Sequence, residues 1–115
     1  MTVDSGIFLE RYPHFSGISE DIIEGELTLN SEIISPLVWT NEMIRNNAIL
    51  LLTAHNLTID YYEQLNLGNQ LRLTEVGNEI KVRDLSQQSY YSLTPYGLQF
   101  QRLQRQFIGL AIFVP

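Results

Sequence analysis

Few side chains in this chain could carry catalysis. His14 and His55 are its only histidines, and histidine is the side chain whose ordinary pKa suits proton transfer near neutral pH. His55 stands in Leu51-Leu52-Thr53-Ala54-His55-Asn56-Leu57, on the apolar side of a helical pattern. A general base there needs reach to a substrate proton and a carboxylate to orient its ring. Asp60 is five positions on and off that face. A buried histidine bonded to a backbone or side-chain partner is therefore expected at 55. His14 lies between Pro13 and Phe15 in a loop and is expected as a surface or capping residue.

Glu20, Asp21, Glu24 and Glu26 could suggest a metal site, but they lack the Asp-x-Asp-x-Asp-Gly order of a calcium loop. They suit the first turn of a helix, where the dipole favours negative charge. There is no cysteine, so disulfides and thiolate metal sites are excluded. P-loop, GxSxG and GxGxxG patterns are absent too. The pairs Tyr61-Tyr62 and Tyr90-Tyr91 could stack on single-stranded bases, yet that use requires a basic groove. The chain has seven basic against thirteen acidic residues, a net charge of -6, which opposes tight binding to a phosphate backbone. No catalytic residue, cofactor or metal is expected, and the chain does not read as an enzyme.

The elements follow from length, caps and periodicity. At 115 residues a single domain spanning 1–115 is expected, and 44% hydrophobic residues are too many for a disordered chain. A short helix is expected over 6–12, stopped by Pro13. Ser19 caps a helix over 19–35, with Ile22, Ile23, Leu27, Ile33, Ile34 and Leu37 as its apolar side and Pro36 as its stop. Trp39 sits in the link, and Thr40 or Asn41 caps a helix over 41–64 that is apolar around most of its girth, hence central. Thr94 caps a last helix over 95–108 with Pro95 at its first position. Its stripe of Tyr96, Phe100, Leu103 and Phe107 reads as ordinary core. The expected core thus includes Trp39, Leu51, His55, Tyr96 and Phe100.

Between 65 and 93 the period changes. Leu71 and Leu73, then Ile80 and Val82, alternate with polar residues around Val76-Gly77-Asn78, which predicts a β-hairpin or extended loop over about 70–83. Such a hairpin needs a helix or another subunit to lie against. After Gly109 an extended tail over 109–115 ends in Leu110, Ala111, Ile112, Phe113, Val114 and Pro115 with no charge, an apolar terminus that must tuck in or dock. The fold class is mainly α: a small bundle of three to four helices with one hairpin or extended loop and an extended C-terminal tail. No segment reads as a membrane span or a signal peptide.

Four segments together resemble the phage head-to-tail connector adaptor family. They are Phe8-Leu9-Glu10-Arg11-Tyr12-Pro13-His14-Phe15, the run 51–57, Glu75-Val76-Gly77-Asn78-Glu79-Ile80-Lys81-Val82, and Leu93-Thr94-Pro95-Tyr96-Gly97-Leu98-Gln99-Phe100. They occur in the expected order and are spread over most of the chain. Leu93 departs from the Ser or Thr usual in that family, and 65–75 has no clear match. The resemblance implies a structural virion protein of the neck, assembled in the host cytoplasm. It implies a homo-oligomeric ring of about twelve copies whose head-to-tail contacts close by rotation. The ring would sit between the portal protein and a downstream neck or tail protein, with DNA passing through its channel without specific binding. On that reading Arg102, Arg105, Leu110, Ile112, Phe113 and Val114 would meet the portal. Leu71, Leu73, Val76, Ile80 and Val82 would meet the adjacent copy. The alternatives are a head-closure or tail-completion protein, or a small acidic module that regulates a host protein.

Overall fold

The computed structural model describes residues 3–65 and 90–108. In order they form α1 (Ser5–Arg11), a 3-10 turn (Pro13–Phe15), α2 (Glu20–Ile33), α3 (Glu42–Leu65) and α4 (Pro95–Leu103), which runs on into a π turn (Gln104–Ile108). The fold is mainly helical. The expected hairpin over 70–83, the tail over 109–115, and with them Leu71, Leu73, Val76, Ile80, Val82, Leu110, Ile112, Phe113 and Val114 lie outside the described residues.

Each helix start has a side-chain acceptor for a free amide of its first turn. The Asp4 carboxylate accepts from the Ile7 amide at 2.9 Å, the Ser19 hydroxyl from Asp21 at 3.2 Å, the Asn41 side-chain oxygen from Ile44 at 3.1 Å, and the Thr94 hydroxyl from Gly97 at 2.9 Å. Asn41, of the two candidates, is therefore the cap of α3. The end of α2 is closed from a distance: the Arg45 guanidinium donates to the carbonyls of Ser31 and Ile34, both at 2.7 Å. A cation at a helix C-terminus also meets the negative end of the dipole.

α3 is the centre of the bundle. Ala48 through Leu52, Ala54, Leu57 and Ile59 are all buried, because α2 packs on one side and α4 on another. The helix is kinked at Tyr61, whose φ of -127° and ψ of 23° leave helical space. α1 and the turn after it close one end, with Phe8 and Phe15 fully buried at a ring distance of 5.2 Å. Trp39 stacks on Phe100 at 6.0 Å across the bundle.

Two apolar faces come out differently from their sequence expectation. On α2, Ile23, Leu27, Asn30 and Ile34 are buried, at i, i+4, i+7 and i+11, whereas Ile22, Leu29 and Ile33 are exposed. The second set lies about 110° round the helix from the first, beyond the arc that α3 covers. Leu37, expected to continue the apolar side, is exposed in the following turn. On α4, Tyr96 is only half-buried at the edge of the core and Phe107 is exposed. The π turn inserts an extra residue per turn, which rotates Phe107 away from the line of Phe100 and Leu103.

Candidate functional site

The sequence directs attention first to His55, which the middle of α3 holds fully buried. Its Nδ1 lies 2.7 Å from the Thr94 hydroxyl. That hydroxyl also accepts from the Gly97 amide, so it joins the imidazole and the start of α4 through one oxygen. Nε2 is buried without a hydrogen-bond partner among the described residues. Tyr90 and Tyr91 pack on the imidazole at ring distances of 4.5 and 5.5 Å. Burial lowers the His55 pKa to about 4, because charging the ring here would remove the ion from water.

Gly97 makes this approach feasible. A Cβ at 97 would lie 2.1 Å from the Tyr91 carbonyl oxygen and 2.7 Å from His55 Nδ1. The sequences Leu-Thr-Ala-His-Asn-Leu and Leu-Thr-Pro-Tyr-Gly are therefore two halves of one joint between α3 and α4. Chemically the joint is closed: one imidazole nitrogen is occupied by Thr94, the other is buried, and two tyrosine rings pack on the imidazole. Its role is to lock the start of α4 onto α3.

A second polar seam joins α2, α3 and the segment before α4. Glu26 Oε1 accepts from the Asn56 amide at 2.8 Å and, more weakly, from Asn30 at 3.4 Å. Asn30 also donates to Thr53 Oγ1 at 2.9 Å in the buried interior. Tyr90 donates to Asn56 Oδ1 at 2.6 Å. Burial, then the charges of Asp60, Tyr91 and Glu26, push the Tyr90 phenol well above its ordinary range. Asp60 is likewise raised, by burial first and then by Glu26. The Asn30 Oδ1 atom is buried without a partner among the described residues.

The acidic group of α2 is dispersed. Glu20 and Asp21 are exposed in the first turn, Glu24 accepts from the Ser5 amide, and Glu26 turns to the asparagines. Among the described residues no group of three or more His, Asp or Glu side chains could hold a metal ion, and no helix is long and apolar enough to cross a membrane. His14 is on the surface, where its Nε2 meets the Tyr96 hydroxyl at 2.9 Å. Partial burial lowers its pKa.

The outer surface carries two features, the first of which the sequence reading missed. Leu37, Met43 and Ile33 are 89%, 82% and 63% exposed. Leu29 and Val38 are half exposed beside them in sequence, so the end of α2 and the turn into α3 present a run of apolar side chains to solvent. A shallow open depression lined by Asn41, Glu42, Met43 and Asn46 adjoins it. At the end of α4, Arg102 is exposed one turn after Leu98, itself exposed, and Arg105 is exposed in the π turn that follows. The signal for the first feature was present in the spacing: two sets of apolar residues on α2, one of which alone fits a single covered stripe.

No protein family, curated protein or solved structure matches this chain.

Proposed function

We propose that this chain is a structural assembly protein, and within that class a phage head-to-tail adaptor that forms a ring between the portal and the next neck or tail protein. The exposed apolar run through Leu29, Ile33, Leu37, Val38 and Met43 carries the reading. Large apolar side chains left exposed along one stretch of a small domain mark a place where another protein sits. The resemblance described above supplies the identity of the assembly. In its support, three of the segments that carry the resemblance are packing partners: Tyr12 on Tyr96 at 5.3 Å, His14 on the Tyr96 hydroxyl, and His55 on Thr94. The role is non-catalytic, and the net negative charge suits a channel from which DNA must slide away. The apolar terminus 110–115 is proposed to supply the portal contact.

Co-sedimentation with the purified portal ring of the same phage tests this. Full-length protein is expected to bind saturably at one copy per portal subunit, and a chain ending at 109 is expected to lose binding. Absence of binding by the full-length chain overturns the adaptor reading.

A further inference from the structure

Two outward surfaces of this chain are complementary, and the fold prevents them from meeting within one copy. The first belongs to α2. Its exposed apolar strip of Ile22, Leu29 and Ile33 lies a quarter turn from the exposed carboxylates of Asp21 and Glu32. At 100° per residue, those two carboxylates fall within about 20° of one another and about 90° from the strip. The second is formed by α4 and the π turn after it, where Leu98 and Arg102 are exposed one turn apart and Arg105 is exposed just beyond them.

Among the described residues the cations of that second surface have no partner. Of the described arginines, Arg11 bonds the Asn47 side chain and Arg45 closes the end of α2. Arg102 and Arg105 make no hydrogen bond or ion pair with another described residue. α2 and α4 each turn their inner faces to α3 and pack chiefly on it, so their outer faces are held apart by the central helix. A surface that is apolar and acidic thus stands on one flank, and a surface that is apolar and basic on another.

We infer that a second copy of this chain covers the α2 strip, setting Leu98 against the apolar residues and turning Arg102 and Arg105 towards the acidic flank of Asp21 and Glu32. The contact joins unlike surfaces, so each copy keeps one of each kind for the next neighbour, and the chain of contacts closes into a ring when the rotation permits. This deepens the ring-forming part of the reading above and rests on it. It moves Arg102 and Arg105 from the portal side to the boundary between copies. The opposite charges steer encounter and fix orientation, and the apolar strip supplies the area removed from water.

Sedimentation velocity on the full-length chain and two variants tests the contact. Arg102→Glu/Arg105→Glu has two acidic surfaces, and Asp21→Lys/Glu32→Lys has two basic ones. Wild type is expected to self-associate, less so as salt is raised. Each variant alone is expected to associate at least about tenfold more weakly. An equimolar mixture of the two is expected to recover association, because every contact is again between opposite charges. All four substituted positions are exposed, and matching far-UV circular dichroism establishes that the variants fold. A wild type that stays monomeric at low salt overturns the inference, as does a mixture that fails to recover. Portal co-sedimentation separates the two readings. If the full-length chain binds portal while the mixture fails, the surface assignment falls and the adaptor reading stands. If the mixture recovers while portal binding is absent, the self-contact stands and the adaptor reading falls.

Discussion

Gly97→Ala is the substitution whose cost follows most directly from the structure. The added methyl would stand 2.1 Å from the Tyr91 carbonyl oxygen, 2.8 Å from its carbon and 2.7 Å from His55 Nδ1. Two of those atoms are backbone, so relief requires moving either α4 or the segment that carries Tyr91. Overfilling a packed site costs about 1–3 kcal/mol. Movement of α4 also stretches the hydrogen bond from the Gly97 amide to Thr94, a cap worth about 1 kcal/mol. The expected loss is about 3 kcal/mol, which is about 10 °C or more in Tm for a domain of this size. Gly25 provides the internal control. It lies in the exposed middle of α2, and a methyl there would meet nothing within 4 Å, so Gly25→Ala is expected to stabilise by about 0.5–1 kcal/mol through helix propensity and chain entropy. Urea unfolding followed by circular dichroism measures both. A Gly97→Ala protein within about 0.5 kcal/mol of the parent would refute the account of the joint, most plainly if Gly25→Ala behaves as expected.

The remaining predictions concern the same framework. His55 has a folded pKa of about 4, below its unfolded value of about 6.5, so the unfolded chain binds more protons between these values. The His55 contribution is therefore complete above about pH 6.5 and is lost as pH falls towards 4, by up to about 3 kcal/mol. Asp60, whose folded pKa is raised, acts in the opposite sense near the ordinary carboxylate range. Unfolding free energies at pH 7 and pH 5 should thus differ in wild type and differ much less in His55→Gln, the remainder including the smaller effect of His14, whose pKa is also lowered; an unchanged slope in that variant would remove His55 as the cause. Thr94→Val keeps the shape but leaves the Gly97 amide and His55 Nδ1 unpaired, and is expected to cost about 2–4 kcal/mol in denaturant, with Thr94→Ser recovering most of it. Arg45→Met removes two bonds to the end of α2 and is expected to cost about 1–3 kcal/mol, with faster amide exchange confined to the last turn of α2. If exchange there is unchanged, the guanidinium is not the cap.

Local chemistry was written openly in the chain. Ser19, Asn41 and Thr94 cap helices because a short side-chain acceptor satisfies an amide in the next turn, a relation contained within a few residues. Pro95 at the first helical position and Pro36 after α2 work at the same range. The girth of apolar residues on α3 identified the central helix, since a helix apolar on most sides has to be covered on most sides. The burial of His55 followed from the same pattern.

What tertiary structure decided was which apolar residues meet a neighbour and which polar atoms meet each other. The two lines of apolar residues on α2 are equivalent in hydropathy, and only the direction of α3 selects Ile23, Leu27 and Ile34 over Ile22, Leu29 and Ile33. Phe107 has the spacing of a core residue but leaves the core where the backbone widens into a π turn. Arg45 closes a helix whose last carbonyls precede it by more than ten residues, and Thr94 reaches a histidine 39 positions away. Periodicity determines what each helix can bury; the packing of one helix on another determines what it does bury, because covering is a property of two surfaces and a sequence pattern describes only one.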